Sequence, residues 1–314
     1  MQHTDVICVG ETMALVTPVE PVPLATADLF RIECGGAESN VAIQLRQLGL
    51  ETMWFSRLGA DPLGERVLAA VGSHGVDTSL VITDPSAPTG LYLKDPGLGG
   101  TRVHYYRKGS AASRMSPADL GILPLSTARL VHVSGITPGL SPSCRSMLDR
   151  LFELTAATEA LLSFDVNYRP GVWSVEDAAP VLLDFARRAD VVLVGRDEAE
   201  VLWGTSTAEA VRDLLPGTRR LVVKDADVGA TEFIPGQETI FVPARRVEVV
   251  EAVGAGDAFA AGYLAALLAG DPAAERLARG HEQAASALSS TADFVPAGTR
   301  LLPGGGAAVM EAGA

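Results

Sequence analysis

Short apolar, β-branched runs alternate along this chain with longer segments of helical periodicity. Residues 6–9 predict a strand and residues 38–48 an amphipathic helix, and the same order recurs several times between residues 130 and 224. Strands that alternate with helices of this length form βαβ units, whose parallel sheet is covered by helices on both faces. The pattern therefore predicts an α/β fold with a mostly parallel central sheet.

Two stretches interrupt this alternation. Residues 14–33 and 89–108 have a period of two, contain several turn residues and lack a helical pattern. They predict a few antiparallel strands that form a lid over a cleft, not an independent domain. We therefore expect residues 1–314 to form one domain with a discontinuous lid. The segment 303–314 is rich in Gly and Ala, and we expect it to be a flexible tail.

Charge and cysteine content exclude several classes of function. The net charge of −13 argues against nucleic acid or an anionic membrane as the main partner. Cys8, Cys34 and Cys144 are scattered without metal-ligand spacing, which predicts buried thiols in a reducing compartment. The chain lacks a signal-like N-terminus and any apolar run of the ~18–20 residues that span a bilayer. We therefore expect a cytoplasmic protein.

The segment Gly254-Ala255-Gly256-Asp257 carries the strongest chemical signal. It lies between a strand predicted to end near Val250 and a long apolar helix. The glycines allow a sharp turn that presents amide groups at a helix N-terminus, which is an arrangement that binds anions. A carboxylate would repel a phosphate there, so Asp257 is a candidate base for an attacking hydroxyl. On spacing alone, a glycine-rich turn with Asp257 as a helix cap is equally consistent.

A second segment, residues 35–42, places paired glycines before a helix. Gly36 permits close approach of a ligand to the backbone, and Asn40 can donate and accept bonds to a hydroxyl. Together, residues 35–42 and 254–259 resemble the two signatures of the ribokinase-like (PfkB) carbohydrate kinases, over roughly residues 4 to 300. The resemblance implies a ribokinase-like three-layer sandwich with a small β-strand lid, ATP and Mg²⁺ as cofactors, Asp257 as base, and residues 254–256 as anion hole.

Within that family, the segments most similar to 2-keto-3-deoxygluconate kinases are residues 89–92, 105–111, 134–137 and 165–169. These enzymes phosphorylate the terminal hydroxyl of a sugar acid. On an extended strand Tyr105 and Arg107 share a face, and the guanidinium groups of Arg107 and Arg169 suit a carboxylate. The alternative is that both arginines are surface charges. By the same resemblance, the residues expected to contact substrate are Gly36, Asn40, Tyr92, Tyr105, Arg107, Arg169 and Asp293.

Residues 222–230 match the family's Lys-x-Gly-x-x-Gly strand and turn, which implies nucleotide contacts. His281 lies on a helix near the expected adenine pocket, where a stacking role and an ordinary helix-face histidine are both open. The nucleotide contacts that the resemblance implies are Lys224, Asp225, Gly229, Gly254, Gly256 and His281.

Three positions depart from the family pattern. Glu251 replaces an Asp, Ala226 replaces the first glycine of the nucleotide turn, and Gly195 replaces the Asn of an Asn-x-x-Glu motif. Glu198, the acid of that motif, remains. We therefore expect Glu198 to act on Mg²⁺ through a water or a phosphate.

Other functions fit the sequence less well. An NAD-dependent dehydrogenase needs GxGxxG after the first strand, where this chain has one glycine and Glu11, whose charge would face the pyrophosphate. A kinase for fructose, ribose or a nucleoside is the nearest alternative. A non-catalytic sugar-binding relative is favoured by Gly195 and Ala226 but opposed by Asp257. The expected partners are a sugar acid and ATP, and assembly into a homo-oligomer is left open.

Overall fold

The computed structural model describes residues 4–97, 101–247 and 253–289. The strands in these ranges are β1 (Thr4–Val9), β2 (Met13–Pro18), β3 (Phe30–Gly35), β4 (Thr52–Phe55), β5 (Arg57–Gly59), β6 (Ile82–Asp84), β7 (Leu91–Asp95), β8 (Arg102–Tyr106), β9 (Ala128–Ser134), β10 (Leu161–Asp165), β11 (Val191–Gly195), β12 (Arg220–Asp225), β13 (Gly229–Phe233) and β14 (Ile240–Pro243). The α-helices are α1 (Ala37–Gln47), α2 (Pro62–Ser73), α3 (Thr137–Leu140), α4 (Pro142–Ala156), α5 (Val175–Arg188), α6 (Arg196–Trp203), α7 (Ala208–Leu214), α8 (Ala255–Ala269) and α9 (Ala273–Leu288).

The central sheet has eight strands among the described residues, in the order β14-β13-β12-β11-β10-β9-β1-β4. The six strands from β12 to β4 are parallel, whereas β13 and β14 add an antiparallel edge. The prediction of a mostly parallel sheet is therefore confirmed. Because parallel strands end at the same edge of a sheet, this order brings the segments that follow β1, β10, β11 and β12 to one side of the molecule.

Helices cover both faces of this sheet, as β1 shows most clearly. All of its residues are buried. Ile7 and Val9 pack into a hydrophobic cluster that includes α4 and α5, whereas Val6 and Cys8 pack into a second cluster with α1, α8 and α9. The alternation of side chains along one strand thus fills two cores and produces the expected three layers.

The lid is a separate four-stranded sheet in the order β3-β2-β7-β8. The pairs β2–β3 and β7–β8 are antiparallel, as predicted. The central pair β2–β7 is parallel, with Ala14 opposite Leu91, so the prediction of antiparallel strands alone is wrong at this pair. The reason is the connection: after β3 the chain returns to the core before it re-enters the lid, and such a crossover allows parallel pairing.

Several sequence-based expectations lie outside the described residues. These are the end of the strand near Val250, Glu251, Asp293 and the tail 303–314. That residues 1–314 form a single domain stays a prediction. Within the described part of the chain, no helix is both long and apolar enough to cross a membrane. Cys8, Cys34 and Cys144 are buried thiols, as expected.

Candidate active site

The glycine turn lies at the N-terminus of α8. Gly254 precedes the helix with φ of +81°, a left-handed conformation that costs an L-residue with a side chain roughly 1–2 kcal/mol. The first amides of α8 have no partner within the helix, so they are free to bind an anion. A Cβ added to Gly256 would lie 3.8 Å from Nζ of Lys224. The turn and the ammonium group of Lys224 therefore form one positive surface.

Asp257 follows directly in the first turn of α8 and links the two sequence motifs. Nδ2 of Asn40, on α1, donates to Oδ2 of Asp257 at 2.9 Å across a separation of 217 positions. Burial raises the pKa of Asp257 to about 7, and the nearby carboxylates of Asp165 and Glu38 add to this rise. The bond from Asn40 and the charge of Arg169 act in the opposite direction. A carboxylate with a pKa near neutrality is well suited to accept and release a proton.

Lys224 forms an ion pair that the sequence did not reveal. Its Nζ lies 2.8 Å from Oδ2 and 3.1 Å from Oδ1 of Asp165, and both residues stand at the carboxyl ends of their strands. Burial opposes the charge of Lys224, but the carboxylates of Asp165 and Glu198 outweigh it and raise its pKa. Lys224 is therefore a permanent cation beside the glycine turn.

Glu198 is held by the first turn of its own helix, α6. The backbone N–H of Gly195 donates to Oε2 of Glu198 at 3.0 Å, so the carboxylate is oriented without the Asn side chain that position 195 lacks. Nη1 of Arg169 lies 3.5 Å from Oε1. Burial raises the pKa of Glu198, and the charge of Lys224 opposes that rise.

The carboxylates of the cleft can supply only some of the ligands that Mg²⁺ requires. Among the described residues, no group of three or more His, Cys, Asp or Glu side chains is arranged to hold a metal ion. Mg²⁺ is commonly bound by one or two carboxylates, with phosphates and water as the remaining ligands. The oxygen atoms of Glu198 and Asp165, both of which line the cleft, fit that chemistry.

Aromatic side chains from the lid form one wall of the cleft. The rings of Tyr92 and Tyr105 stack with centroids 5.8 Å apart, and the guanidinium of Arg107 lies 5.6 Å from the Tyr105 ring centroid. Tyr106 points the other way and is 64% exposed, as the alternation along β8 predicts. The lid strands thus present a flat, partly cationic surface to a ligand.

Arg107 is anchored by Glu11, a residue that the sequence analysis did not assign to the site. Nε of Arg107 donates to Oε2 of Glu11 at 2.7 Å, and Nη2 contacts the same oxygen. Arg169 is more open: its side chain is 48% exposed, and its Nη1 donates to the carbonyl of Tyr168 at 3.1 Å. One arginine is therefore fixed and the other is accessible.

The cleft has a volume of about 430 Å³ and brings most of the predicted residues together. The predicted site residues that line it are Gly36, Asn40, Tyr92, Tyr105, Arg107, Arg169, Glu198, Lys224, Gly254, Gly256 and Asp257. It is also lined by residues that the sequence analysis did not assign, which include Glu11, Lys94, Asp165 and Asn167.

Asn167 has a recognisable structural signature. Its φ of +39° is uncommon for a residue with a side chain, and its Oδ1 is buried without a hydrogen-bond partner in the described part of the structure. An unpartnered acceptor on the wall of a cleft suits a ligand hydroxyl. Its position two residues after the end of β10 was the available sequence signal.

Three of the predicted nucleotide contacts lie away from the cleft lining. Asp225 accepts a bond from Nε of Arg196 at 2.8 Å. Gly229 is enclosed by β14, since an added Cβ would lie 2.5 Å from the carbonyl oxygen of Val242. His281 is 6% exposed, and its Nε2 lies 3.0 Å from that same carbonyl.

The ring of His281 also meets Phe259 edge-on, with centroids 5.2 Å apart. Its packing is that of a buried helix histidine. Ala255 is the second residue of the glycine turn and contributes backbone only, while Asp293 lies outside the described residues. Ala226 adopts φ of +41°, a positive value that glycine tolerates more readily than a residue with a side chain.

A carboxylate beside a glycine turn and a lysine, at the carboxyl ends of parallel strands, is the arrangement expected of a phosphotransferase that acts on an alcohol group. The pfkB family of carbohydrate kinases matches residues 3–296, and the chain belongs to that family. A 2-dehydro-3-deoxygluconokinase of Bacillus subtilis is 35% identical over 92% of this chain and 91% of its own length. Fructokinase-1 of Oryza sativa is 32% identical over 82% of this chain and 81% of its own.

A solved structure supports the fold. The crystal structure of a PfkB protein from Polaromonas sp. JS666 has a TM-score of 0.84 and 38% sequence identity, and the match covers 90% of this chain and 95% of that one. The ribokinase-like architecture and the carbohydrate kinase activity predicted from the two motifs are therefore confirmed.

Proposed function

We propose that the enzyme transfers the γ-phosphoryl group of ATP to the terminal hydroxyl of a sugar acid. The substrate is 2-dehydro-3-deoxygluconate (2-keto-3-deoxygluconate), and the products are its 6-phosphate and ADP. The observation that carries this proposal is the pair of arginines on the cleft wall, because two guanidinium groups suit a carboxylate and a neutral sugar needs neither. The similarity to the 2-dehydro-3-deoxygluconokinase of Bacillus subtilis supports the same substrate.

In the proposed mechanism, Asp257 receives the proton of the attacking hydroxyl. The amides at residues 254–256 and the ammonium group of Lys224 bind the phosphoryl oxygens as charge develops on them. Lys224 remains protonated throughout because Asp165 is its partner. The unpartnered Oδ1 of Asn167 accepts a bond from a sugar hydroxyl and helps to orient the substrate.

Mg²⁺ would be held by Glu198 and Asp165 together with the phosphates, and it would neutralise their charge. We propose the cytoplasm as the location, since ATP is available there and the three cysteines are thiols. A homo-oligomeric state stays a prediction.

A neutral-sugar kinase is the second candidate. It is favoured by the similarity to a fructokinase, and the stacked Tyr92 and Tyr105 suit any sugar. The two candidates differ in what the exposed arginine does. In a sugar-acid kinase Arg169 binds the carboxylate, whereas in a fructokinase it has no anionic sugar group to bind.

The test is kcat/KM for 2-dehydro-3-deoxygluconate and for fructose, measured by ADP release on wild type, Arg169→Ala and Arg169→Lys. Loss of a charge-assisted bond of roughly 1.5–3 kcal/mol lowers kcat/KM by roughly 10- to 150-fold. We expect that loss for Arg169→Ala on the sugar acid only, with partial rescue by lysine, which lacks the planar fork.

Arg169 is preferred to Arg107 for this test because it is half-exposed, and because its partner Glu198 keeps the charge of Lys224 nearby when the guanidinium is removed. Arg107→Ala would leave the carboxylate of Glu11, whose side chain is 0% exposed, without its cationic partner. Arg150→Ala is the matched control, since Arg150 is exposed on α4 and its one ion pair within the described part of the chain is with the exposed Glu153. Equal losses on the sugar acid and on fructose would refute the sugar-acid assignment.

A further inference from the structure

Glu11 lies where the chain passes between the central sheet and the lid. In the described ranges there are four such passages: after β1, after β3, before β7 and after β8. Glu11 itself forms the first. Gly36 lies at the second passage, and a Cβ added to it would lie 2.4 Å from the backbone oxygen of Glu11. Gly90 lies at the third passage, and a Cβ added to it would lie 2.8 Å from Oε1 of Glu11. At the fourth, Arg107 and Ser110 donate to its carboxylate.

Both carboxylate oxygens of Glu11 have partners from the fourth passage. Oε1 accepts from the hydroxyl of Ser110 at 2.7 Å, and Oε2 accepts from Nε and Nη2 of Arg107. The Glu11 side chain is 0% exposed and that of Arg107 is 12% exposed. A buried, fully bonded carboxylate of this kind fixes its partners in one arrangement.

This network leaves one part of Arg107 available. Nε and Nη2 are engaged by Glu11, and the guanidinium faces the ring of Tyr105. Nη1 has no protein acceptor among the described residues, and Arg107 lines the cleft. The direction in which Nη1 meets a ligand is therefore set by Glu11.

We propose that Glu11 is a positioning residue that orients Arg107 towards the substrate and couples this orientation to the position of the lid. Glu11 lies two residues after β1 of the core, whereas Arg107 follows directly on β8 of the lid and Ser110 lies three residues further along. A displacement of the lid therefore moves the guanidinium relative to its carboxylate partner. The inference deepens the proposed function and rests on it in one respect, which is that Arg107 contacts the sugar.

The first test is Glu11→Gln, which keeps the size and an acceptor oxygen but removes the charge. We expect KM for the sugar to rise roughly 10- to 100-fold, with KM for ATP changed by less than about twofold. Glu11→Asp keeps the charge on a shorter side chain, and we expect a smaller rise. A merely structural role would lower thermal stability and change both KM values together, which would overturn the inference.

Arg66→Ala is the matched control for a general loosening of the lid. Nε and Nη2 of Arg66, on α2, donate to the carbonyl of Ile32 on β3, at 3.0 and 2.8 Å. This contact joins core to lid on the exterior and does not involve Arg107. We expect Arg66→Ala to leave KM for the sugar within about twofold of wild type. A rise equal to that of Glu11→Gln would show that lid stability, and not the orientation of Arg107, is responsible.

The decisive measurement is a double-mutant cycle on Glu11→Gln and Arg107→Lys. If Glu11 acts through Arg107, the double variant has nearly the KM of Arg107→Lys alone. Multiplicative effects of the two changes would overturn the inference. Should Glu11→Gln melt below the assay temperature, Glu11→Asp takes its place in the cycle.

The cycle also separates this inference from the proposed function. Wild type is first assayed on 2-dehydro-3-deoxygluconate and on fructose, and a preference for fructose would refute the sugar-acid substrate. The cycle is then run on fructose, where non-additivity supports the positioning role of Glu11 and additivity overturns it.

Discussion

The variant Asp257→Asn should fold and bind ATP but lose most of its turnover. The amide has nearly the shape of the carboxylate, and its oxygen can still accept the bond from Nδ2 of Asn40, which is 2.9 Å long in the wild type. What is lost is the capacity to take up a proton. A positioned general base is worth roughly 10²–10⁴-fold in rate, so kcat should fall by that factor.

The pKa of about 7 for Asp257 predicts how the activity of the wild type depends on pH. Because burial disfavours the charged form of Asp257, the carboxylate becomes protonated and can no longer act as a base as the pH falls through this value. A group with this pKa is about one-tenth ionised at pH 6 and about nine-tenths ionised at pH 8. We therefore expect kcat/KM to fall about tenfold for each unit below pH 7 and to level off above it.

The assay is ADP release at saturating Mg²⁺ and ATP over about pH 5.5–8.5, on wild type and Asn40→Ala. Asn40 donates to the ionised form of Asp257, so its removal should raise the pKa further and move the midpoint to higher pH. This shift distinguishes Asp257 from Glu198, whose pKa burial also raises. An Asp257→Asn variant with more than a tenth of normal turnover, or an unmoved midpoint in Asn40→Ala, would refute the assignment.

Four further substitutions test other parts of the site. Gly254→Val should abolish phosphoryl transfer because the φ of +81° at this position excludes a β-branched residue, and Gly256→Val should abolish it by covering the amides of the glycine turn. The measurements are circular dichroism for folding and ADP release for activity. A variant that is folded and active would show that residues 254–256 do not form an anion hole. Glu198→Gln should raise the Mg²⁺ concentration that gives half-maximal rate. If the dependence of the rate on Mg²⁺ were unchanged, the role of Glu198 would be structural, as the acceptor of the bond from the backbone N–H of Gly195. Ala226→Gly should raise the free energy of unfolding by about 0.5–1 kcal/mol, because it relieves a φ of +41°, and an unchanged or lower Tm would show that this turn is unstrained.

The sequence predicted those features that depend on local patterns. The periodicity of strands and helices predicted the parallel sheet, and the glycine turn predicted that Asp257 lies at the start of a helix. The ion pair of Lys224 with Asp165 could not be predicted in this way, because it depends on the order of β10, β11 and β12 in the sheet. For the same reason Glu11 was read only as an acid after the first strand, since its partner Arg107 lies 96 positions further along the chain.

The expected nucleotide-binding segment shows how little a sequence motif says about side-chain packing. The resemblance at residues 222–230 implies nucleotide contacts, and those of Asp225 and His281 stay predictions; in the structure their side chains contact Arg196 and the backbone of Val242. A motif gives residue types at a spacing but not the side-chain packing of the neighbouring strand. The sequence shows only that Ala226 replaces a glycine, whereas its positive φ of +41° is visible only in the structure.

The parallel pair β2–β7 has a consequence for how the molecule folds. Ala14 lies opposite Leu91, but β3, α1, β4, β5, α2 and β6 separate β2 from β7 in the chain, and no local turn joins these two strands. Closing so long a loop is entropically unfavourable until the core has brought its ends together. We therefore expect the lid to assemble last, to lack any capacity to fold when excised, and to be the first sheet whose amides exchange with deuterium.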